Sequence, residues 1–141
     1  VGAGTVLQVA DVHAVFACNG RLIVAPNADV AVIAQAKVEG LFALPGVMTP
    51  SEGFAALKAG ADGLKLFPAE IIPPAVFKAW RAVFPPDTLM LAVGGIGVDN
   101  LKTYAAAGAS GFGIGSALYR PGRSAAETGA LARALVAAAR T

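Results

Sequence analysis

Lys65 sits inside an apolar run, Gly63-Leu64-Lys65-Leu66-Phe67-Pro68-Ala69-Glu70. Strand alternation puts Leu64, Leu66 and Pro68 on one face, with Lys65 and Phe67 on the other. In a parallel sheet covered on both faces, the ammonium of Lys65 points into protein rather than water. An unpaired charged amine is costly there, so this group should lose its proton more easily than a surface lysine. A neutral amine attacks carbonyls and can form a Schiff base. The competing reading is a strand-end lysine whose head snorkels to water or pairs with Glu70.

Two glycine-rich stretches, Gly94-Gly95 and Gly115-Ser116, are candidates for holding phosphate. Glycines let phosphate oxygens reach backbone N–H groups, a helix N-terminus adds a favourable dipole, and Ser116 adds a hydroxyl donor. Tight turns and close packing would require glycine equally well. Thr5 is a candidate donor to a carboxylate, against a turn-stabilising hydroxyl. Phe67 and Pro26 would wall a pocket and keep Lys65 dry. His13, the only histidine, is placed on a helix facing away from the strand ends, in a structural or surface role. Trp80 reads as packing. Arg120 and Arg123 follow the second glycine stretch and would add charge there, although solvent exposure is the simpler reading. Glu70 reads as a carboxylate in a loop or at a helix start.

The elements that must position these residues follow one pattern. Strands are predicted at 1–7, 22–26, 41–47, the Lys65 segment, 89–93 and 111–116. Helices are predicted over 8–18 (stopped by Asn19-Gly20), 29–37, after Thr49, from Pro73-Pro74 to Pro85-Pro86, 99–107, and from Ser124 onward. Thr49-Pro50-Ser51-Glu52 and Ser124-Ala125-Ala126-Glu127 are capping boxes, and Gly40, Gly60 and Gly108 are helix stops. The βα unit thus repeats six times, with a period of roughly 20–25 residues. Strands this apolar want a parallel sheet, either doubly wound or a (β/α)8 barrel. The expectation is α/β: a TIM barrel with only its last six βα units in residues 1–141, a single domain lacking the first two. On that count Gly94-Gly95 follows strand seven and Gly115-Ser116 closes strand eight, where such barrels commonly hold phosphate. Lys65 lies on strand six, Pro45-Gly46 ends strand five, Pro26 strand four and Thr5 strand three, all converging on one mouth.

Composition narrows the partners. The chain is 56% hydrophobic and 14% charged, against an average of about 25% charged, so an oligomer is expected. A net charge of +2 without a Lys/Arg cluster argues against a nucleic-acid partner. The longest uncharged run, 103–119, is too rich in glycine for a membrane span. No secretory signal is visible. One cysteine, Cys18, allows no internal disulfide or cysteine-based metal cluster. It reads as a small buried apolar residue, with the cytoplasm as default compartment.

The stretches Gly2-Ala3-Gly4-Thr5-Val6-Leu7, Leu22-Ile23-Val24-Ala25-Pro26-Asn27, Leu64-Lys65-Leu66-Phe67-Pro68-Ala69, Ala92-Val93-Gly94-Gly95 and Gly115-Ser116-Ala117-Leu118-Tyr119-Arg120 together resemble the 2-keto-3-deoxy-6-phosphogluconate and -galactonate aldolases. The resemblance covers essentially the whole chain, in order. Asn27, Leu118-Tyr119-Arg120 and Val93 (where the gluconate branch typically has threonine) favour the galactonate branch. The resemblance implies that Lys65 is the Schiff-base lysine, attacking the C2 ketone of a phosphorylated 2-keto-3-deoxy sugar acid. Thr5 would help bind the pyruvate carboxylate, Gly94, Gly95, Gly115 and Ser116 the phosphate, and Phe67 and Pro26 would line the pocket. It implies a homotrimer, and no metal or other cofactor, since the iminium itself is the electron sink. It also places the general acid/base glutamate and a substrate-binding arginine in the first two βα units, so this stretch by itself should be inactive or crippled. Rival expectations are a phosphate-binding barrel isomerase or synthase with Lys65 as an ion-pair partner, and a truncated barrel serving only as an assembly or degradation product.

Overall fold

The computed structural model describes residues 1–140. Their order is β1 (Gly2–Gly4), α1 (Val9–Ala17), β2 (Leu22–Val24), α2 (Val30–Val38), β3 (Phe42–Leu44), β4 (Gly46–Val47), α3 (Pro50–Lys58), β5 (Gly63–Leu66), a short 3-10 turn (Ala69–Ile71), α4 (Pro74–Arg81), β6 (Leu89–Val93), α5 (Leu101–Ala106), β7 (Gly111–Gly113) and α6 (Ala125–Ala139). The strand-then-helix alternation is as the sequence predicts. Leu89–Val93 matches its predicted strand, while the strands predicted at 1–7, 22–26 and 111–116 shorten to three residues each, near the start of the run, which are the ones that pair on the ladder.

The helix boundaries have local causes. Asp29 Oδ1 accepts from Ala31 and Val32 N–H at the start of α2, at 2.8 and 3.1 Å. At α3, Thr49 accepts from Glu52 N–H at 3.3 Å while Glu52 Oε2 accepts from Met48 and Thr49 N–H at 2.7 and 2.8 Å. Ser124 and Glu127 repeat that reciprocal arrangement at α6. Each box satisfies N–H groups that the first helical turn leaves without partners. The chain leaves α2, α3 and α5 through left-handed glycines at 40, 60 and 108, the predicted stops.

All strands are parallel, in two sheets ordered β1-β2-β3 and β4-β5-β6-β7. The predicted continuous strand at 41–47 is therefore corrected: it is two short strands separated by Pro45, which has no N–H to donate. The chain nevertheless carries one run across both sheets. Ala25 N–H donates to Leu44 O at 3.2 Å on one side, and Lys65 N–H donates to Pro45 O at 2.9 Å on the other. Among the described residues β1 and β7 are each paired on one side only, so no closed barrel is present.

Leu64 and Leu66 of β5, Met90 and Ala92 of β6 and Ala43 of β3 are fully buried, facing the helices with Phe77, Ile33 and Ala56. Burying one such leucine contributes about 1.5–3 kcal/mol. The alternate residues, Lys65, Leu91 and Val93, are only partly buried and face the opposite way. In register Lys65 lies between Gly46 and Leu91, so one neighbour leaves room for the lysine stem and the other covers it. No helix among the described residues is long and apolar enough to cross a membrane.

Candidate functional site

Because every strand runs the same way, the strand C-termini gather at one end of the sheets, and a cavity of about 730 Å³ opens there. Lys65, Phe67, Gly94, Gly95, Gly115 and Ser116 all line it, as the sequence expects. Thr5 and Pro26 are exposed and do not line it; their neighbours Gly4 and Val24 do. Thr5 is held in a left-handed conformation, φ 58°, just beyond β1. Pro26 packs its carbonyl against Gly46: a methyl group there would meet Pro26 O at 2.3 Å.

Lys65 makes no ion pair among the described residues, so the pairing with Glu70 is not observed. Its Nζ stands 4.0 Å from the centroid of the Phe67 ring, two residues along on the same face. Burial pushes its pKa below the ordinary lysine value. The ring face favours a cation, but desolvation acts the other way and sets the direction. An amine that loses its proton readily, open to a cavity and free of a carboxylate partner, is equipped for attack on a carbonyl.

The opposite part of the cavity is built by loops. Gly94 and Gly95 adopt left-handed conformations, φ 101° and 61°, which only glycine takes without strain. Asn100 secures this turn: its Oδ1 accepts from Gly97 N–H at 3.0 Å and its Nδ2 donates to Gly95 O at 2.9 Å. The loop after β7 is held by Arg120 Nε donating to Ser116 O at 3.0 Å. Arg123 Nη1 adds bonds to Ala117 O and Leu118 O at 3.1 and 2.7 Å. Gly94, Gly95, Gly115, Ser116 and Arg120 thus line one cavity, and backbone N–H, hydroxyl and guanidinium groups are donors of the kind suited to an anion.

Two charged residues belong to this lining although the sequence reading set them aside. Glu70, expected as a carboxylate in a loop or at a helix start, does lie in the first turn of the 3-10 helix after β5, and it also lines the cavity beside the glycine pair. Tyr104 anchors that turn from α5, donating to Ala69 O at 2.8 Å, and its own pKa is raised by burial and by the charge of Glu70. Arg120, expected in solvent, is exposed and lines the cavity as well. The signal for both was their position just past a strand end, which spacing alone does not distinguish from an idle loop.

The remaining expectations fall outside the cavity. His13 is exposed and paired with Glu39, remote from the strand C-termini. Trp80 packs edge-on to Phe84, with ring centroids 6.3 Å apart. Cys18 is corrected: it is exposed, because it ends α1 where the chain turns outward through Asn19 at φ 56°. No cluster of three or more His, Cys, Asp or Glu suited to a metal occurs among the described residues.

A probable 2-dehydro-3-deoxy-6-phosphogalactonate aldolase from Rhizobium meliloti (strain 1021) is 48% identical over 138 residues, covering 98% of this chain and 65% of that protein. A structure described as native KDPGal matches with a TM-score of 0.97 and 44% identity, covering 99% of this chain and 68% of its own. More distant is a KDPG aldolase from Legionella pneumophila, described with pyruvate captured at low pH as a covalent carbinolamine intermediate. It has a TM-score of 0.78 at 25% identity and covers 99% of this chain and 66% of its own. The chain thus spans about two thirds of the length of the proteins it matches. The family model for KDPG and KHG aldolase matches residues 1–132, and the chain belongs to that aldolase family.

Proposed function

We propose that the whole protein is a class I aldolase cleaving 2-dehydro-3-deoxy-6-phosphogalactonate to pyruvate and D-glyceraldehyde 3-phosphate, with Lys65 as its Schiff-base nucleophile. The observation that carries this reading is the amine of Lys65, unpaired, depressed in pKa and lining the same cavity as Gly94-Gly95 and Gly115-Ser116. The carbinolamine described for the Legionella pneumophila relative supports the same chemistry. The stronger matches to proteins described for the galactonate substrate favour that epimer over the gluconate one.

In the proposed reaction the neutral amine adds to the C2 carbonyl, and loss of water from the carbinolamine gives a protonated imine. A base removes the C4 hydroxyl proton, the C3–C4 bond breaks, and its electron pair moves into a C2–C3 enamine as the aldehyde departs. Protonation at C3 and hydrolysis then release pyruvate and restore the amine. Gly94, Gly95, Gly115 and Ser116 are assigned to the phosphate and Phe67 to the pocket wall. Thr5, next to the lining Gly4, is assigned to the carboxylate, and Pro26 to the rim beyond Val24. The six βα units are read as the later part of a single (β/α)8 domain whose two earlier units bring the general acid/base glutamate and an arginine. The assembly is read as a homotrimer working in the cytoplasm.

Treating the full-length protein with pyruvate and borohydride is expected to add one reduced pyruvyl group to Lys65, located by peptide mass spectrometry. Absence of that adduct rejects the Schiff-base reading. Parallel turnover of the two epimeric phosphorylated acids is expected to favour the galactonate form.

A further inference from the structure

The phosphate end assigned above offers N–H dipoles and one hydroxyl, but a phosphate dianion also needs opposite charge. Two charged side chains outside that assignment line the cavity. Glu70 lies across the glycine pair: a methyl group built on Gly94 would meet its Oε2 at 2.4 Å, and one on Gly95 its Cγ at 2.5 Å. A carboxylate in that place repels a dianion. Arg120 is the other. Its Nε is tied to Ser116 O, which fixes the guanidinium beside the residue whose hydroxyl is assigned to phosphate. The Nη atoms of Arg120 make no hydrogen bond to any other described residue, leaving most of the guanidinium's N–H fork unused.

The other cations nearby are committed elsewhere. Lys65 is consumed in the proposed imine. Arg123 spends its Nη1 on Ala117 O and Leu118 O and acts as a brace for the loop. We infer that Arg120 is a substrate-binding residue whose Nη groups pair with the phosphate dianion and counter the carboxylate of Glu70. This inference rests on the aldolase reading of the cavity. Arginine suits the task, because its planar fork meets two phosphate oxygens at once and its charge persists at every working pH.

The test compares Arg120→Met and Arg120→Lys with the parent in the full-length protein. Three quantities are read: borohydride trapping of pyruvate on Lys65, KM for the phosphorylated sugar acid, and kcat/KM for the same acid without its phosphate. Arg120→Met is expected to raise KM for the phosphorylated acid by about 10- to 100-fold. Trapping and turnover of the unphosphorylated acid should change by less than about twofold, since neither involves the phosphate. Arg120→Lys, which keeps the charge and loses the bond to Ser116 O, should recover a large part of the affinity. An unchanged KM in Arg120→Met overturns the inference. So does an equal loss with both acids and in trapping, which is what a purely structural role through Ser116 would produce. Failure of the parent itself to trap pyruvate rejects the aldolase reading, and the inference falls with it.

Discussion

At Lys65 the charged and neutral forms are separated by burial, and the sign of that separation can be measured. The folded chain holds this amine below the ordinary lysine pKa of 10.5. Between the folded and unfolded values the unfolded chain binds more protons, so stability rises with pH across that window. Below the folded value the chain bears the full cost of burying the charge. The rate of pyruvate trapping is therefore expected to rise with pH and level off before pH 10.5, as the neutral fraction saturates. A rate still climbing through that value would mean an ordinary, solvated lysine. The partly buried, cavity-lining place of Lys65 was legible because a lysine flanked by leucines in a parallel strand has few bland explanations. Glu70 and Arg120 were not, since nothing in a one-dimensional pattern says that a 3-10 turn and a loop bend back over the same cavity. Cys18 was misjudged for a related reason: cysteine is usually buried, but a helix end decides exposure more strongly than residue type.

At the scale of elements, α3 lies close against β5 because Gly53 has no side chain. A methyl group there would stand 2.4 Å from Phe84 Cζ and 3.2 Å from Leu64 Cδ1. Phe84 is buried, and its ring is hemmed in by Phe54, with centroids 4.9 Å apart, and by Trp80. Gly53→Ala is expected to destabilise the fold by about 1–3 kcal/mol through overpacking, despite alanine's better helix propensity. Urea unfolding of the variant checks this, and a stabilised variant would show that α3 can shift outward. Helix starts and stops were readable from caps and glycines, whose effects are local. The division at Pro45 was not, because an apolar run of the right length hides the one residue that cannot donate to the ladder.

At the scale of the whole molecule, the exposed surface includes Phe16, Val38, Phe42 and Phe54. Isolated apolar residues on a surface need no explanation, but so low a charge content leaves little to keep copies apart. Light scattering on the full-length protein is expected to give three times the monomer mass, and a monomer at micromolar concentration would reject the trimer. The parallel order of the strands followed from the repeating βα period. Closure does not follow from six units, and the structure contains two adjoining parallel sheets rather than a ring.

Pro45 also divides the cavity lining along the polypeptide. The stretch after it supplies Lys65, both glycine-lined loops, Glu70 and Arg120, while the stretch before it supplies Gly4 and Val24. The groups proposed for imine formation and for phosphate binding thus lie together on the stretch beyond Pro45, apart from the rim contributed by the first sheet. Recombination between relatives at this proline would swap the rim and keep Lys65, both glycine-lined loops, Glu70 and Arg120 together.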